Sequence, residues 1–256
     1  TLVQIIGSLD VVAQSRTRVV ETEDTGNTTD RQYEFSAGYS MVPDVLGLRR
    51  GHIDRAVYQC YGTNDVTTIR DYQSLSNRLN ATADSSRTIY TMVAGVRTAF
   101  AEDNVTLTSD ALAIPNDDST WLMDFRRNGD DQCGSSVLGV SSDAGIRTQF
   151  RETLIRYIRG TTDSCRAGFK TGAIVHSTPV IQGHLKNIDV NVPSFRLYKQ
   201  STTVQNRPTV LYVGTHDGQM HAFEVDRDSV ASTADWGREL WSFIPNYLLR
   251  RLKDLP

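Results

Sequence analysis

The sequence predicts a mainly β protein: a portion of a β-propeller with an inserted amphipathic helix and long loops. Three observations carry this reading. Short runs of β-branched and aromatic residues alternate with polar ones through much of the chain. One hairpin, "RPTVLYVGTHDGQMHAFEVD", is apolar on both of its faces. A single segment, residues 143–159, carries an apolar repeat of helical period.

The first 60 residues read as antiparallel strands. "QIIGSLDVVAQSRTRVV" is β-branched and partly alternating, "ETEDTGNTTD" is a turn or hairpin tip, and "RQYEFSAGYSMV" places Tyr33, Phe35 and Ala37 on one face. "GHIDRAVYQC" alternates Ile53, Arg55, Val57 and Gln59 against Asp54, Ala56, Tyr58 and Cys60. Residues 61–165 form a lead-in region. It is polar and irregular over 61–84 and strand-like in "SRTIYTMVAG". "LTSDALAIP" follows as a short helical turn, and residues 115–142, with the apolar island Trp121, Leu122 and Phe125, form a surface excursion.

The helix follows. Ser142 or Asp143 can cap its start, and Ile146, Phe150, Leu154 and Ile158 recur every four residues, flanked by Ile155 and Tyr157. Arg156 and Arg159 sit in the last turn, where the helix dipole favours cations, and Gly160 suits the left-handed residue that ends a helix. Its length would be roughly 24 Å. Residues 166–256 hold the blade-like strands. "GAIVHSTPVIQG" is a short strand interrupted by Pro179, which suits an edge or a strand end. Residues 183–207 read as a loop before the hairpin.

Asp217-Gly218 suggests a two-residue type I′ turn. That register pairs His216 with Gln219, Gly214 with His221, Tyr212 with Phe223 and Val210 with Val225, leaving Leu211, Val213, Met220 and Ala222 on the other face. Each such side chain contributes about 1.5–3 kcal/mol on burial, so a ribbon apolar on both sides calls for cover on both sides. Radially stacked propeller blades provide it. "GRELWSFIP" reads as the next strand, with Trp241 plugging the seam between blades.

Bulk properties narrow the function classes. The chain has 256 residues, 22% charged and 39% hydrophobic, with a formal net charge of -3. That is enough chain for a real core, and it lacks the global positive field that attracts nucleic acid or an anionic membrane. No apolar run approaches the ~18 residues of a membrane span, so the chain is expected not to span a membrane. The start, "TLVQIIGSLD", reads as the interior of a longer chain rather than a signal peptide.

None of the three cysteines, Cys60, Cys133 and Cys165, has a partner two or three residues away, which argues against zinc ribbons and thioredoxin motifs. In an oxidising compartment Cys133 with Cys165 is the disulfide candidate, with roughly 3–4 kcal/mol from closing the loop between them. Cys60 is then left over or pairs outside the chain. The alternative is three reduced, buried thiols.

"YVGTHDGQMHAFEVD" followed by "GRELW" is similar to the repeat of quinoprotein-type propellers. In order and spacing, "TGAIVHSTPVIQG", "RPTVLYVGTHDGQMHAF" and "RELWSFIPNYLLRRL" resemble the C-terminal propeller domain of the PilY family, the type IV pilus tip adhesin and assembly protein. Upstream, "GHIDRAVYQC", "SSRTIYT" and "LIRYIRG" match that family's lead-in, so the resemblance covers about residues 50–256.

It implies a non-catalytic adhesin and pilus-biogenesis factor, exported to the pilus tip, cell surface or outer membrane of a bacterium. Its partners would be minor pilins and a host or abiotic surface, without nucleic acid. The family's propeller continues for several blades and carries an Asp-rich calcium loop. No Asp-x-Asp-x-Asp-Gly run stands here, so no cofactor is expected in this chain and calcium belongs to a further part of the propeller. A quinoprotein dehydrogenase and an outer-membrane assembly scaffold are the rival readings.

Candidate sites are structural. Asp217, Gly218, His221, Phe223, Trp241, Pro179 and His176 are expected to hold the blade together. His216 and His221 flank the turn on different faces, which disfavours a metal site. His176 and Ser177 are sequence neighbours whose side chains diverge in a strand, which disfavours a nucleophile–base pair. "DSSRT" at 84–88 imitates the ion site of von Willebrand A domains but lacks a buried apolar strand before it.

Overall fold

A computed structural model describes residues 19–23, 31–41, 49–59, 71–115, 143–162, 164, 166, 168–182, 191–205, 207–225 and 237–254. The fold is mixed, with two sheets and few helices. The first sheet is an antiparallel run of β1 (Val19–Glu23), β2 (Arg31–Met41), β3 (Arg49–Gln59) and β4 (Asp71–Ser74). The alternation read in "RQYEFSAGYSMV" is realised, since Phe35 and Ala37 are both buried. Helix α1 (Leu75–Ala81) follows β4 directly, and Ser74 Oγ accepts the Asn77 N–H at 3.3 Å as its cap. Residues 71–81 were expected to be irregular. The Ser74 cap and the Leu75/Leu79 pair are the helix signal, and both leucines are buried.

The second sheet has six strands, in the order β6 (Val96–Ala99), β5 (Ile89–Val93), β10 (Glu239–Ile244), β9 (Met220–Glu224), β8 (Val210–Gly214), β7 (Val180–Gln182). β7 to β10 make an antiparallel meander, and β10 also pairs parallel with β5. Pro179 is buried immediately before the end strand β7, so the strand begins after the proline instead of being interrupted by it. Residues 183–207 were read as a loop, but the described part contains α3 (Pro193–Gln200), with proline at its start, and α4 (Thr202–Gln205).

The central hairpin departs from the predicted register. Leu211 pairs with Phe223 and Val213 with His221, one residue away from the type I′ alignment. The loop has three residues, His216, Asp217 and Gly218. Thr215 N–H donates to Gln219 O at 2.8 Å, Gly218 N–H donates to Thr215 O at 3.1 Å, and Gly218 has φ +81°. This is a type I turn followed by a left-handed glycine, the usual three-residue solution. A type I′ geometry does occur, at Ala94 (φ 50°) and Gly95 (φ 80°) between β5 and β6.

The slip changes which side chains share a face. Leu211, Val213, His221 and Phe223 all turn inward, with Ile89, Thr91, Ser242 and Ile244 of the neighbouring strands. Two clusters cover this inner face. Under β8 and β9 lie Phe35, Ala37, Ile53, Leu75, Leu79 and Ile174, from the first sheet, α1 and the segment before β7. Under β5 and β10 lie Phe150, Leu154, Ile155 and Ile158 of α2 (Asp143–Arg159), with Phe100, Leu107, Leu112 and Ile114. The hairpin was expected to be sandwiched by sister sheets on both surfaces. Among the described residues the inner surface is covered, half by a sheet and half by a helix, while on the outer surface Val210, Ala222 and Glu224 are buried and Val180 and Met220 stay exposed.

α2 runs as the periodicity requires and ends as expected. Gly160 has φ +65°, Thr161 N–H donates to Arg156 O at 3.1 Å, and Gly160 N–H donates to Tyr157 O at 3.1 Å. Its arginines do more than complement the dipole. Arg147, Arg151 and Arg159 donate to backbone carbonyls of residues 100–114, and Arg156 pairs with Glu102 at 2.8 Å. "LTSDALAIP" is one α-type turn, with Leu112 N–H to Thr108 O at 3.2 Å and Ala113 at φ 52°. α5 (Asn246–Leu249) closes the cluster from the far end. No described helix is long and apolar enough to cross a membrane. Cys60, Cys133 and Cys165, and the island Trp121, Leu122 and Phe125, lie outside the described residues.

Candidate interaction face and the polar seam behind it

The outer face of the six-stranded sheet is assembled by register. Val180 stands opposite Tyr212, Tyr212 opposite Ala222, and Ala222 opposite Trp241. The Tyr212 and Trp241 rings approach to 5.9 Å across the small side chain of Ala222, which they bury. Phe243 stands between Met220 and Tyr90, and the Arg97 guanidinium lies 4.8 Å over the Tyr90 ring. Val180 is 58% exposed and Met220 38% exposed, and Tyr90, Met92, Tyr212, Trp241 and Phe243 are half-buried. Seven large apolar side chains thus line one sheet face that water still reaches. Trp241 was expected to plug a seam between blades; here it sits beside Tyr212 on this open face.

A bulge permits that placement. In a regular strand Glu239 and Trp241 would point the same way. The register shifts between them: Glu239 stands opposite Phe223, while Trp241 stands opposite Ala222. The extra residue, Leu240, sends Glu239 inward and Trp241 outward.

The inward-facing polar groups form a seam between the two apolar clusters. Glu239 accepts from Arg87 Nε at 2.8 Å through Oε2 and from Arg87 Nη2 at 2.8 Å through Oε1, and its Oε1 also lies 2.7 Å from His221 Nδ1. Ser242 Oγ donates to Gln219 Oε1 at 2.9 Å, and Gln219 Nε2 donates to Asp217 Oδ2 and to Ile158 O, each at 2.9 Å. Asp217 pairs with Arg166 at 2.7 Å. Arg87 also reaches Arg159 O, so the seam satisfies carbonyls at the C-terminal end of α2.

Burial pushes the Glu239 carboxyl up, but Arg87, by charge and hydrogen bonds, and then His221 outweigh it and hold the group at about 2. At Asp217 burial acts in the same direction, and Arg166, His221 and the Thr215 hydroxyl bring the carboxyl below its ordinary range.

Thr215, His221 and Glu239 stand in the order hydroxyl, imidazole, carboxylate. Thr215 Oγ1 is 3.3 Å from His221 Nε2. The same hydroxyl faces Gln219 O at 3.0 Å and Asp217 Oδ1, and the His221 ring has no exposed surface. The imidazole and the carboxylate are buried and Thr215 is half-buried, and the three groups form a hydrogen-bond chain.

The sequence candidates divide accordingly. Asp217, Gly218 and His221 join the seam or its turn, and Phe223 stacks on His221 at 5.7 Å in the core beside it. Pro179 starts the end strand. His176 was expected to be hydrogen-bonded within a strand; it is exposed, on a bend. Its neighbour Ser177 is the structural one, accepting the Gly214 N–H at 2.9 Å. Arg87, Arg166, Gln219, Glu239 and Tyr212 were not anticipated. The one sequence signal among them is Glu239, an acid at the head of an otherwise apolar strand.

No family model, curated protein or solved structure matches the chain.

Proposed function

We propose that the chain is part of a non-catalytic adhesin and assembly factor of the type IV pilus tip, of the PilY kind, exported to the bacterial surface. In this reading the meander β7 to β10 is a propeller blade and its outer face is a contact surface. The observation that carries it is the open sheet face of Val180, Tyr212, Met220, Trp241, Phe243, Tyr90 and Met92. A contiguous exposed apolar patch of this kind marks an interaction site, and aromatic residues with methionine are the residues enriched at such contacts. The burial of His221 and of the Glu239 carboxylate supports a role without chemistry.

The experiment is capture of purified minor pilins by the immobilised protein, with Met220→Lys as the variant. Met220 is exposed, so the fold should survive the change. Capture by the natural chain, weakened about tenfold or more by the lysine, is the expected result. Capture of outer-membrane barrel proteins alone would move the assignment to an assembly scaffold. Dye-linked alcohol oxidation on adding pyrroloquinoline quinone would overturn the non-catalytic reading.

A further inference from the structure

Three Asn-x-Ser/Thr triplets stand in the chain, at Asn27, Asn80 and Asn104. Such a triplet accepts N-linked sugar where its carboxamide and its hydroxyl can be reached. Asn27 lies outside the described residues. Asn80 sits in α1, where its Oδ1 accepts the Lys170 N–H at 2.7 Å, and the Thr82 hydroxyl donates to Arg78 O at 3.2 Å. The side chains of that triplet are spent within the fold. Asn104-Val105-Thr106 is displayed instead. It lies on a turn between Phe100 and Leu107, both fully buried. Asn104 N–H donates to Ala101 O at 3.2 Å, and Leu107 N–H donates to Asn104 O at 3.1 Å. Val105 is 89% exposed, Thr106 is exposed and Asn104 is half-buried. Asn104 Oδ1 accepts the Thr106 N–H at 3.0 Å, which holds the carboxamide beside the threonine. Its Nδ2 donates one hydrogen to Ala99 O at 2.9 Å. A carboxamide nitrogen carries a second hydrogen, and replacing that one by a sugar carbon leaves both bonds in place.

We propose that Asn104 is a site of N-glycosylation. The donor is an oligosaccharide linked through pyrophosphate to a lipid, and the catalyst is an oligosaccharyltransferase. Asn104 Nδ2 forms a bond to the anomeric carbon of the sugar, the bond from that carbon to the pyrophosphate oxygen breaks, and the lipid pyrophosphate leaves with the electron pair. One amide proton passes to a base of the transferase, and nothing is oxidised or reduced. The Thr106 hydroxyl is the group that the transferase reads beside the asparagine. The fold thus selects between triplets that the sequence leaves equivalent. The inference rests on export, which the pilus-tip reading shares, and uses no residue of the contact face.

The test incubates the purified, folded chain with a single-subunit oligosaccharyltransferase and its lipid pyrophosphate-linked oligosaccharide, and reads intact mass and glycopeptides. A glycan at Asn104 and none at Asn80 is expected. Thr106→Ala should abolish the Asn104 glycan and Thr106→Ser should keep it, with the thermal midpoint of both variants unchanged because that side chain is exposed. An unmodified Asn104, in a reaction that glycosylates a short acceptor peptide carrying the same triplet, would overturn the proposal. So would transfer to Asn80 in the folded chain, or an Asn104 glycan indifferent to Thr106→Ala. The site mapped on the natural chain decides the matter even if a variant fails to fold. The reaction is run outside the cell, so failure of pilin capture leaves this result standing, and failure here leaves the contact face untouched.

Discussion

At the scale of single residues, Glu239 shows how a buried charge is retained. Its carboxylate meets two Arg87 nitrogens and one His221 nitrogen with almost no water. Removing one partner of such a group leaves the other charge buried and uncompensated, at about 3–5 kcal/mol. Glu239→Gln should therefore destabilise the fold by that amount near neutral pH, measured by denaturant titration. The pH dependence has a definite sign. The folded-state pKa of about 2 lies below the ordinary 4.5, so the contribution is fully present above 4.5 and is lost as pH falls from there towards 2. Stability of the natural chain should drop across that window, and the slope should flatten in Glu239→Gln. An unchanged slope would mean that another acid, Asp217 first, governs the acid limb.

At the scale of elements, two hairpins exchange the turns that their residues suggest. Asp217-Gly218, the conventional pair for a two-residue turn, closes a three-residue loop, because Asp217 is drawn inward to Arg166 and Gln219. Ala94-Gly95 takes the two-residue turn although Ala94 has no local preference for φ +50°. Asparagine tolerates that conformation and alanine does not. Ala94→Asn should stabilise the chain by about 0.5–1 kcal/mol, visible as a raised melting temperature; a loss of stability would show that the left-handed pair is not the turn in solution. α2 was legible to the residue because its period, basic last turn and Gly160 agree. α1 and α3 were missed because each spans only about two turns, too short for a repeat to stand out from background.

At the scale of the whole molecule, β3 of the first sheet meets the segment before β7 backbone to backbone. Gly51 N–H donates to Thr171 O at 3.0 Å, Arg50 and Gly172 form an isolated bridge, and Arg55 crosses the gap to Val225 O at 2.9 Å. A Cβ on Gly51 would collide with the Gly172 carbonyl, which is backbone and cannot swing aside. Gly51→Ala should cost about 1–3 kcal/mol by overpacking, with the loss read in the cooperative unfolding of both sheets. A neutral result would mean that the first sheet is not docked there. The same docking explains what covers the inner face of the hairpin, namely the first sheet, α1 and α2, and the outer face is buried at Val210, Ala222 and Glu224 but stays open at Val180 and Met220.

The sequence by itself determined what depends on neighbours along the chain. Alternation specified the strands around Phe35 and Ile53, β-branched and apolar runs specified those around Ile89 and Leu211, the four-residue repeat specified α2, and Gly160 marked its end. Only the tertiary structure decided the hairpin register, the bulge at Leu240 that turns Glu239 in and Trp241 out, and the meeting of Arg87, Arg166, Asp217, His221 and Glu239. Those groups are distant in sequence and are drawn together because a charge removed from water must find its partner wherever the packed chain brings one.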